Sequence, residues 1–418
     1  MLGKKVWAQL LGVEKTVIES VVYDEETDAV VASVRPRRGE GLRCGMCRRR
    51  CGRYDAGEGR RRWRTLDLGE LKAFVEAEAP RVSCPEHGVV VSHVPWARHG
   101  AGHTRGFDDQ VAWLAVHTSR TAVTEVMRIA WRTVGAICSR VAVERRTAID
   151  PFASLRRIGI DEISYKRGHR YITIVVDHDT GRLVWARPGH DEPTLVAFFE
   201  LLGQERCEAI THVSSDQAGW IDRIVAGYCP QAIRCADPFH VVRWATDALD
   251  EVRRQTWNAA RRSGQVRDAQ QLKRARYALW KAAENLTARQ RGHLAQIQRT
   301  NRTLYRAYLL KEQLREVFRH RGSPALLLLQ AWLVWARRCR IPSFIELARR
   351  IVKHRGQIEA TLVHGLSNAL VESVNTRIRL LTRLAFGFRN PEALIGLAML
   401  KLGGYCPPLP GRASPTHG

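Results

Sequence analysis

An α/β fold is predicted for the middle of this 418-residue chain, and the order of its hydrophobic patterns carries the prediction. Three β-rich runs come first, joined by short polar turns that contain glycine. A helix, a strand, a helix, a strand and a further helix follow. This order, βββαβαβα, is the topology of the ribonuclease-H-like fold, in which the first and fourth strands are parallel neighbours. The runs span residues 157–165, 170–177 and 182–187, and the next helix and the two later strands span 193–202, 209–215 and 232–236.

The composition of the chain indicates a polyanionic partner. Lys and Arg number 67 against 42 Asp and Glu, which gives a formal net charge of +25. Nucleic-acid phosphates are the commonest partners of so basic a protein, and an anionic membrane surface is the alternative. The most apolar stretch, residues 325–336, is shorter than the roughly 20 residues that span a bilayer, and the first residues lack the apolar run of a signal peptide. We therefore expect a polyanionic partner, no secretion and no membrane-spanning segment.

Two pairs of metal-binding residues near the start of the chain predict a zinc module. In each pair two residues separate the ligands, a spacing that lets both side chains converge on one tetrahedral Zn²⁺. Residues 63–78 between the pairs alternate in hydrophobicity around a turn, as in a treble-clef or ribbon-like module with structural zinc. Alternatively, the cysteines are small buried hydrophobic residues, with Cys51 as a competing ligand. The predicted ligands are Cys44, Cys47, Cys84 and His87.

Three short helical patterns follow, at residues 107–119, 122–129 and 133–146. Their lengths and spacing suit a helix-turn-helix DNA-binding domain. The break before the third pattern predicts Thr133 as its N-cap, and the first turn of that helix is where a recognition helix meets base edges. A plain three-helix bundle fits the same spacing, so both interpretations stay open.

Two aspartates lie on neighbouring strands of the predicted fold, one on the first strand and one at the end of the fourth. Asp161 ends the first apolar run, and Asp216 ends the run at 209–215. Neighbouring strands lie about 4.8 Å apart, so both carboxylates should point into one cleft. Two carboxylates that close repel each other unless a cation lies between them. The pair therefore predicts a site for divalent metal ions.

A helix predicted at residues 364–381 supplies a third acid, Glu372. Polar residues at helical spacing share its face, and apolar residues on the adjoining face would pack on the sheet. For Glu372 alone, a solvated surface stripe is an equal alternative. However, all three acids occupy positions that this one fold would bring together, which favours a common metal site. The polar face comprises Asn368, Glu372, Asn375 and Arg379, and the apolar face comprises Leu370, Val374, Ile378 and Leu381.

Three short motifs carry a resemblance to a known family. They are Gly-Ile-Asp-Glu at 159–162, Asp-Pro-Phe-His-Val-Val at 237–242 and Leu-Ala-Phe-Gly-Phe-Arg-Asn at 384–390. Together they resemble the ISL3 family of insertion-sequence transposases, a group of DDE transposases, and the resemblance covers nearly the whole chain. It implies a DNA strand transferase that recognises the terminal inverted repeats of its own element and uses catalytic Mg²⁺ or Mn²⁺.

The resemblance also implies roles for particular residues. Asp161, Asp216 and Glu372 are the expected catalytic acids and Mg²⁺ ligands. Asp237 is the alternative second acid, since it too ends a strand before a helix, but the strand order favours Asp216. His240 either neighbours the cleft, to contact phosphate or transfer a proton, or is a packed structural residue. The partners that the resemblance implies are double-stranded DNA, as element ends and target, and at least one further copy of the chain. It also implies no membrane association and a cytoplasmic, nucleoid-associated location in a bacterium.

The predicted domain organisation follows from these patterns. The segment between the last core strand and the acid-bearing helix is helical and rich in Arg, and the core does not need it, so it is predicted to be an insertion. A ribonuclease-H-like nuclease without strand transfer and a catalytically inactive zinc-containing DNA-binding regulator are the alternative functions. The predicted domains are a zinc-binding module at 1–100, a helix-turn-helix at 101–150, the first part of the core at 151–250, a helical insertion at 251–357, the last part of the core at 358–405 and a disordered tail at 406–418.

Overall fold

The computed structural model describes residues 3–166, 168–215 and 218–412 of the chain. Two predictions fall outside these residues. They are Asp216, the expected second acid, and residues 413–418 at the end of the expected tail. No helix seen in the described ranges has the length and apolar character needed to cross a lipid bilayer.

The chain forms two compact units. One consists of Met1–Ile149 together with Leu384–Gly418, and the other of Asp150–Arg383. Residues from 384 onward thus fold with the start of the chain, whereas the sequence grouped 358–405 with the catalytic core.

The first unit opens with one helix and seven strands: α1 (Lys4–Leu10), β1 (Thr16–Asp24), β2 (Ala29–Pro36), β3 (Gly52–Asp55), β4 (Arg60–Leu68), β5 (Leu71–Glu78), β6 (Arg81–Cys84) and β7 (Gly88–Val91). Four strands form a sheet in the order β1-β2-β5-β4, and the other three form a sheet in the order β3-β6-β7. The alternation predicted at 63–78 is confirmed as the antiparallel β4 and β5 pair. Its inward side chains, including Trp63 and Val75, are buried because every second residue faces the core.

Three helices follow, α2 (Arg105–His117), α3 (Arg120–Met127) and α4 (Trp131–Ala148). Arg128, in the left-handed conformation with φ 51°, ends α3. The predicted N-cap at Thr133 is wrong, because α4 begins at Trp131 with Ala130 as its N-cap. The Arg120 guanidinium lies 4.6 Å from the centre of the Trp131 ring, and this cation–π contact holds the first turn of α4 in place of a capping side chain.

The second unit contains β8 (Arg157–Lys166), β9 (Arg170–Asp177), β10 (Leu183–Pro188), α5 (Glu192–Leu202), α6 (Gln204–Ala209), β11 (His212–Ser215), α7 (Gly219–Tyr228), β12 (Ile233–Ala236) and α8 (Pro238–Arg262). Its five-stranded sheet has the order β10-β9-β8-β11-β12. The first three strands are antiparallel, and β11 is parallel to both β8 and β12. This is the predicted ribonuclease-H-like core, with the first and fourth strands adjacent. The short helix α6, which follows Gly203 at φ 80°, is an addition to the predicted order.

The insertion is helical, as predicted, and comprises α9 (Val266–Arg274), α10 (Arg276–Trp280), α11 (Ala288–Thr300), α12 (Arg302–Val317), α13 (Ser323–Arg338), α14 (Pro342–Lys353) and α15 (Arg355–His364). These helices share one apolar core with α8. Trp332 is fully buried there, and its indole Nε1 donates to the carbonyl of Leu310 at 2.8 Å. The buried Lys311 donates from Nζ to the carbonyls of Leu279 and Lys281 at 2.8 and 3.1 Å. These bonds supply donors for backbone carbonyls at the end of α10, where the helix itself offers none.

The last two helices are α16 (Ala369–Leu384) and α17 (Pro391–Leu402). The single helix predicted at 364–381 is wrong at its start, because Gly365 takes the left-handed conformation at φ 68° and ends α15. Leu370 was predicted on the packing face of this helix, but it is half-buried and the neighbouring Val371 is fully buried. In the first unit, α17 packs on α4, where Ser139 Oγ donates to the carbonyl of Glu392 at 3.2 Å.

Candidate active site and metal centre

Asp161 lies on β8 just beyond the part of that strand that pairs with β11. The last parallel pair joins Gly159 to Ser214, and β11 ends one residue later. β11 is therefore the neighbour of the strand that carries Asp161. Asp216 is the next residue in the sequence after β11 and lies outside the described residues. Nδ2 of Asn375 on α16 donates to Oδ2 of Asp161 at 2.7 Å. This hydrogen bond joins the first predicted acid to the helix that carries the third.

Glu372 and Asp237 line one cleft of about 310 Å³. Glu372 is exposed in the first turn of α16, one turn before Asn375 and on the same face of the helix. Asp237 is buried at 2% exposure and caps α8 by accepting from the backbone N of Phe239 at 3.3 Å. Burial raises the pKa of Asp237. Desolvation, and then the charge of Asp237, raise the pKa of Glu372.

These acids offer the oxygen donors that a hard cation such as Mg²⁺ prefers. Oδ2 of Asp237 is buried and accepts no hydrogen bond from any described residue, so it is available to a cation. His240 lies beside it, with Nε2 at 3.8 Å from Oδ2 of Asp237. Within the described part of the chain, however, Asp161, Asp237 and Glu372 do not form a group whose ligand atoms all lie within 4.8 Å of one another. The carboxylates of the described acids fit divalent cations chemically.

A buried polar network behind the acids connects three parts of the second unit. Ser214 Oγ on β11 donates to Oδ1 of Asn368, the residue before α16. Because that donation uses the hydroxyl proton, Nε2 of His178 is the donor in its 2.7 Å contact with Ser214 Oγ. Burial, and then the charge of Arg157, lower the pKa of His178, while Asp177 and other acids oppose the shift.

Close packing at Gly159 sets the distance between α16 and the sheet. A Cβ atom at this position would lie 2.3 Å from Cγ2 of Val371 and 2.9 Å from Nε2 of His178. Only glycine therefore lets α16 approach β8 closely enough for Asn375 to reach Asp161. The sequence motif Gly-Ile-Asp-Glu contained this signal, because the glycine lies two residues from the acid on the same face of the strand.

Sequence reasoning missed the roles of Ser214, His178 and Asn375. Asn368 and Asn375 were placed on the polar face that includes Glu372, but Asn368 precedes α16 rather than lying within it. The partners of these side chains lie far away in the sequence, so only an unexplained buried polar residue within an apolar strand, such as Ser214, could have pointed to the network.

The four predicted zinc ligands converge in the first unit. One ligand atom from each of Cys44, Cys47, Cys84 and His87 lies within 4.8 Å of the others. Cys47 Sγ and Cys84 Sγ are 3.7 Å apart, and His87 Nδ1 is 3.8 Å from Cys44 Sγ and 3.6 Å from Cys84 Sγ. Ligands about 2.0–2.3 Å from a tetrahedral zinc ion lie about 3.3–3.8 Å apart, so the cluster fits Zn²⁺. Cys51 does not belong to this group and donates to the carbonyl of Arg49 at 3.3 Å.

The chain combines a ribonuclease-H-like core that carries Asp161 on its central strand, a cluster of three cysteines and a histidine, and a three-helix domain, and this is the architecture of a DDE transposase. Comparison with known proteins agrees with each part. Residues 158–397 match the DDE transposase domain of the ISL3 group. Residues 92–142 match the helix-turn-helix domain of transposase family ISL3, and residues 40–87 match the zinc finger of the transposases of IS204, IS1001, IS1096 and IS1165. The chain belongs to the ISL3 family of insertion-sequence transposases.

Named relatives cover almost the whole chain. It is 57% identical over 437 residues to the transposase for insertion sequence element IS1557 of Mycobacterium tuberculosis, a match that covers 99% of this chain and 98% of the relative. It is 25% identical over 398 residues to the transposase for insertion sequence element IS1001 of Bordetella parapertussis, with 94% and 96% covered. The family's helix-turn-helix domain makes DNA the partner of the first unit.

Proposed function

We propose that this transposase binds the terminal inverted repeats of its own element and catalyses Mg²⁺-dependent cleavage and transfer of DNA strands. Asp161, Asp216 and Glu372 are the proposed catalytic acids and metal ligands. The observation that carries the proposal is the hydrogen bond from Asn375 to Asp161, since it brings the helix of the third acid to the strand of the first. Because the family's domains bind DNA, we propose that the protein works in the cytoplasm, at the bacterial nucleoid.

The chain's own residues hold and orient the reacting groups. Asn375 Nδ2 donates to Oδ2 of Asp161 and the backbone N of Glu162 donates to Oδ1 at 2.8 Å, so the orientation of this carboxylate is fixed at both oxygens, and the lone pairs of a carboxylate allow it to bind a cation as well. Glu372, with a raised pKa, lies close enough to Asp237 to feel its charge, so a cation between the acids would relieve their repulsion. When bound, Mg²⁺ or Mn²⁺ supplies Lewis-acid activation of the attacking oxygen and stabilisation of the leaving oxygen. The basic surface of a chain with net charge +25 holds the DNA phosphates.

Asp237 is the alternative second acid. It shares the cleft with Glu372, but it caps α8 and ends β12, one strand further from β8 than β11. The strand order therefore favours Asp216 for the position beside Asp161.

We further propose that Cys44, Cys47, Cys84 and His87 hold one structural Zn²⁺. The set provides four ligands, which leaves no open coordination position for catalysis. We also propose that at least two copies of the chain assemble on DNA, because a transposase that joins two element ends to a target must hold both ends together. Light scattering of the protein with one end and with two ends measures this assembly.

The deciding experiment uses the purified full chain, Mg²⁺ and DNA that carries the inverted repeats read from the DNA flanking the gene. Wild-type protein should release the ends and join them to target DNA. Asp161→Ala and Glu372→Ala should abolish cleavage and leave end binding nearly intact, whereas Glu346→Gln, a change to an exposed acid on α14, should cut normally. Asp216→Asn and Asp237→Asn, compared in the same assay, identify the second acid by which one removes cleavage.

Other outcomes would assign other functions. Release of ends with no joining would mean a nuclease, and end binding with no cleavage by the wild type would mean a regulator. Near wild-type cutting by Asp161→Ala would remove the acids from the mechanism.

A further inference from the structure

The turn between α12 and α13 brings the helical insertion to the cleft that holds Glu372 and Asp237. The backbone N of Gly322 in this turn donates to the carbonyl of Leu362 on α15 at 2.9 Å, which attaches the turn to the segment before α16. His320 and Arg321 of the turn line the same cleft as the two acids. The insertion therefore supplies one wall of the candidate active site.

Arg321 is the strongest anion-binding group in this wall. Its guanidinium lies against Gly365, where a Cβ atom would be 2.7 Å from Nη1 and 2.9 Å from Cζ. No carboxylate in residues 3–166, 168–215 and 218–412 forms an ion pair with it, in contrast to the nearby Arg319, which is paired with Glu284 and Glu316. A planar guanidinium with free donors is suited to bind a phosphate through two hydrogen bonds. Within the described ranges, Arg321 is thus a cation in the cleft that forms no ion pair with a carboxylate.

Phe239 provides an apolar surface at the same cleft. It is 57% exposed although it lies two residues after the buried Asp237, which accepts a hydrogen bond from its backbone N. The adjacent His240 ring meets Phe239 edge-on, with ring centres 5.8 Å apart. An exposed aromatic face beside a phosphate-binding cation is the combination that binds a nucleotide, since the ring stacks on the base and the cation binds the backbone. The cleft volume of about 310 Å³ is within the range of sites that hold small ligands.

We propose that this cleft is a subsite for the nucleotide that adjoins the reacting phosphodiester. Arg321 binds a phosphate of that nucleotide, and Phe239 stacks on its base. The inference rests on the proposed function, because the cleft is shared with Glu372. It gives the insertion a defined task, which is to place the DNA strand beside the acids. Both residues are positioning residues and take no part in bond making.

The test for Arg321 uses single-turnover cleavage of element-end DNA in which one phosphate at a time near the cleavage position is replaced by a neutral methylphosphonate. One replacement should slow wild-type cleavage about 10- to 100-fold, the value of a hydrogen-bonded charge pair. Arg321→Met should slow cleavage of unmodified DNA by a similar factor and be insensitive to that replacement, while Arg321→Lys restores part of the rate. Arg319→Met is the matched control and should behave as wild type at every phosphate.

The test for Phe239 uses 2-aminopurine at the nucleotide that carries the sensitive phosphate. Wild-type protein and Phe239→Trp should quench its fluorescence by stacking, whereas Phe239→Leu should not and should cut about 5- to 100-fold more slowly. End binding measured by gel shift should stay within about twofold in all variants, since the helix-turn-helix domain lies in the other unit.

The two proposals fail in different ways. If wild-type protein neither binds nor cuts element ends, the proposed function fails and the subsite fails with it. If wild-type protein cuts but Arg321→Met cuts equally well, or remains as sensitive to the methylphosphonate as wild type, the subsite alone is overturned. Full fluorescence quenching by Phe239→Leu would overturn the stacking role.

Discussion

Asn375 donates a hydrogen bond of 2.7 Å to Asp161, across 214 positions of the sequence. The bond links the first strand of the ribonuclease-H-like sheet to α16, the helix that carries Glu372. The orientation of one proposed catalytic acid therefore depends on the seating of the helix that carries another. Changes to that seating should affect catalysis without any change to the acids.

Asn375→Ala should raise the Mg²⁺ concentration needed for half-maximal cleavage about 10- to 100-fold, because residues that orient metal ligands have effects of this size. Cleavage of end DNA across a Mg²⁺ titration measures the change. Thr376→Ala, at an exposed neighbouring position, is the control and should leave the titration unaltered. An unchanged titration for Asn375→Ala would show that Asp161 needs no help from α16.

Gly159→Ala should lower the free energy of unfolding by about 1–3 kcal/mol and slow cleavage, because its Cβ would overlap Val371. Val371→Ala removes the atom nearest to that Cβ, so the double variant should be less destabilised than the sum of the single variants. A double-mutant cycle in urea unfolding measures the coupling. Gly219→Ala, where a Cβ meets no atom within 4 Å, is the matched control. Strict additivity at 159 and 371 would contradict the packing argument.

His178 should make stability depend on pH. Its folded-state pKa lies below the ordinary value of 6.5, so below that pH the unfolded chain binds more protons and the free energy of unfolding falls as the medium is acidified. His178→Gln keeps an amide donor for Ser214 Oγ but does not titrate. Between about pH 7.5 and about pH 5.5, the melting temperature of this variant should therefore fall less than that of the wild type. Parallel curves would mean that His178 titrates as it does in the unfolded chain.

Cys44→Ser should release zinc and abolish end-specific binding, because structural zinc sites supply folding energy directly. Cys51→Ser should keep its zinc and its end-specific DNA binding, since Cys51 lies outside the four-residue cluster. Zinc content by mass spectrometry, together with gel shifts on end DNA, measures the two outcomes. Zinc loss in Cys51→Ser with retention in Cys44→Ser would mean that the ligand set is wrong.

Much of the core could be predicted from the sequence because its signals are local. Alternating and helical periodicity identified the strands and helices of the sheet, and the C-x₂-C and C-x₂-H spacings identified the residues that cluster in the first unit. Local patterns were less reliable at element ends. The start of α4 is held by Arg120 of the preceding helix rather than by a cap at Thr133, and the break before α16 depends on the left-handed conformation of Gly365.

By itself, the sequence determined the order of the elements, the family motifs, the basic character of the chain and the residue types available for metal ions. Only the tertiary structure decided which side chains meet. The contact of Asn375 with Asp161, the seating of Val371 on Gly159 and the approach of Arg321 to the cleft all join residues far apart in the chain. Periodicity reports which face of an element is buried, but the partner on the other side is chosen by packing, where one Cβ atom is enough to exclude an arrangement.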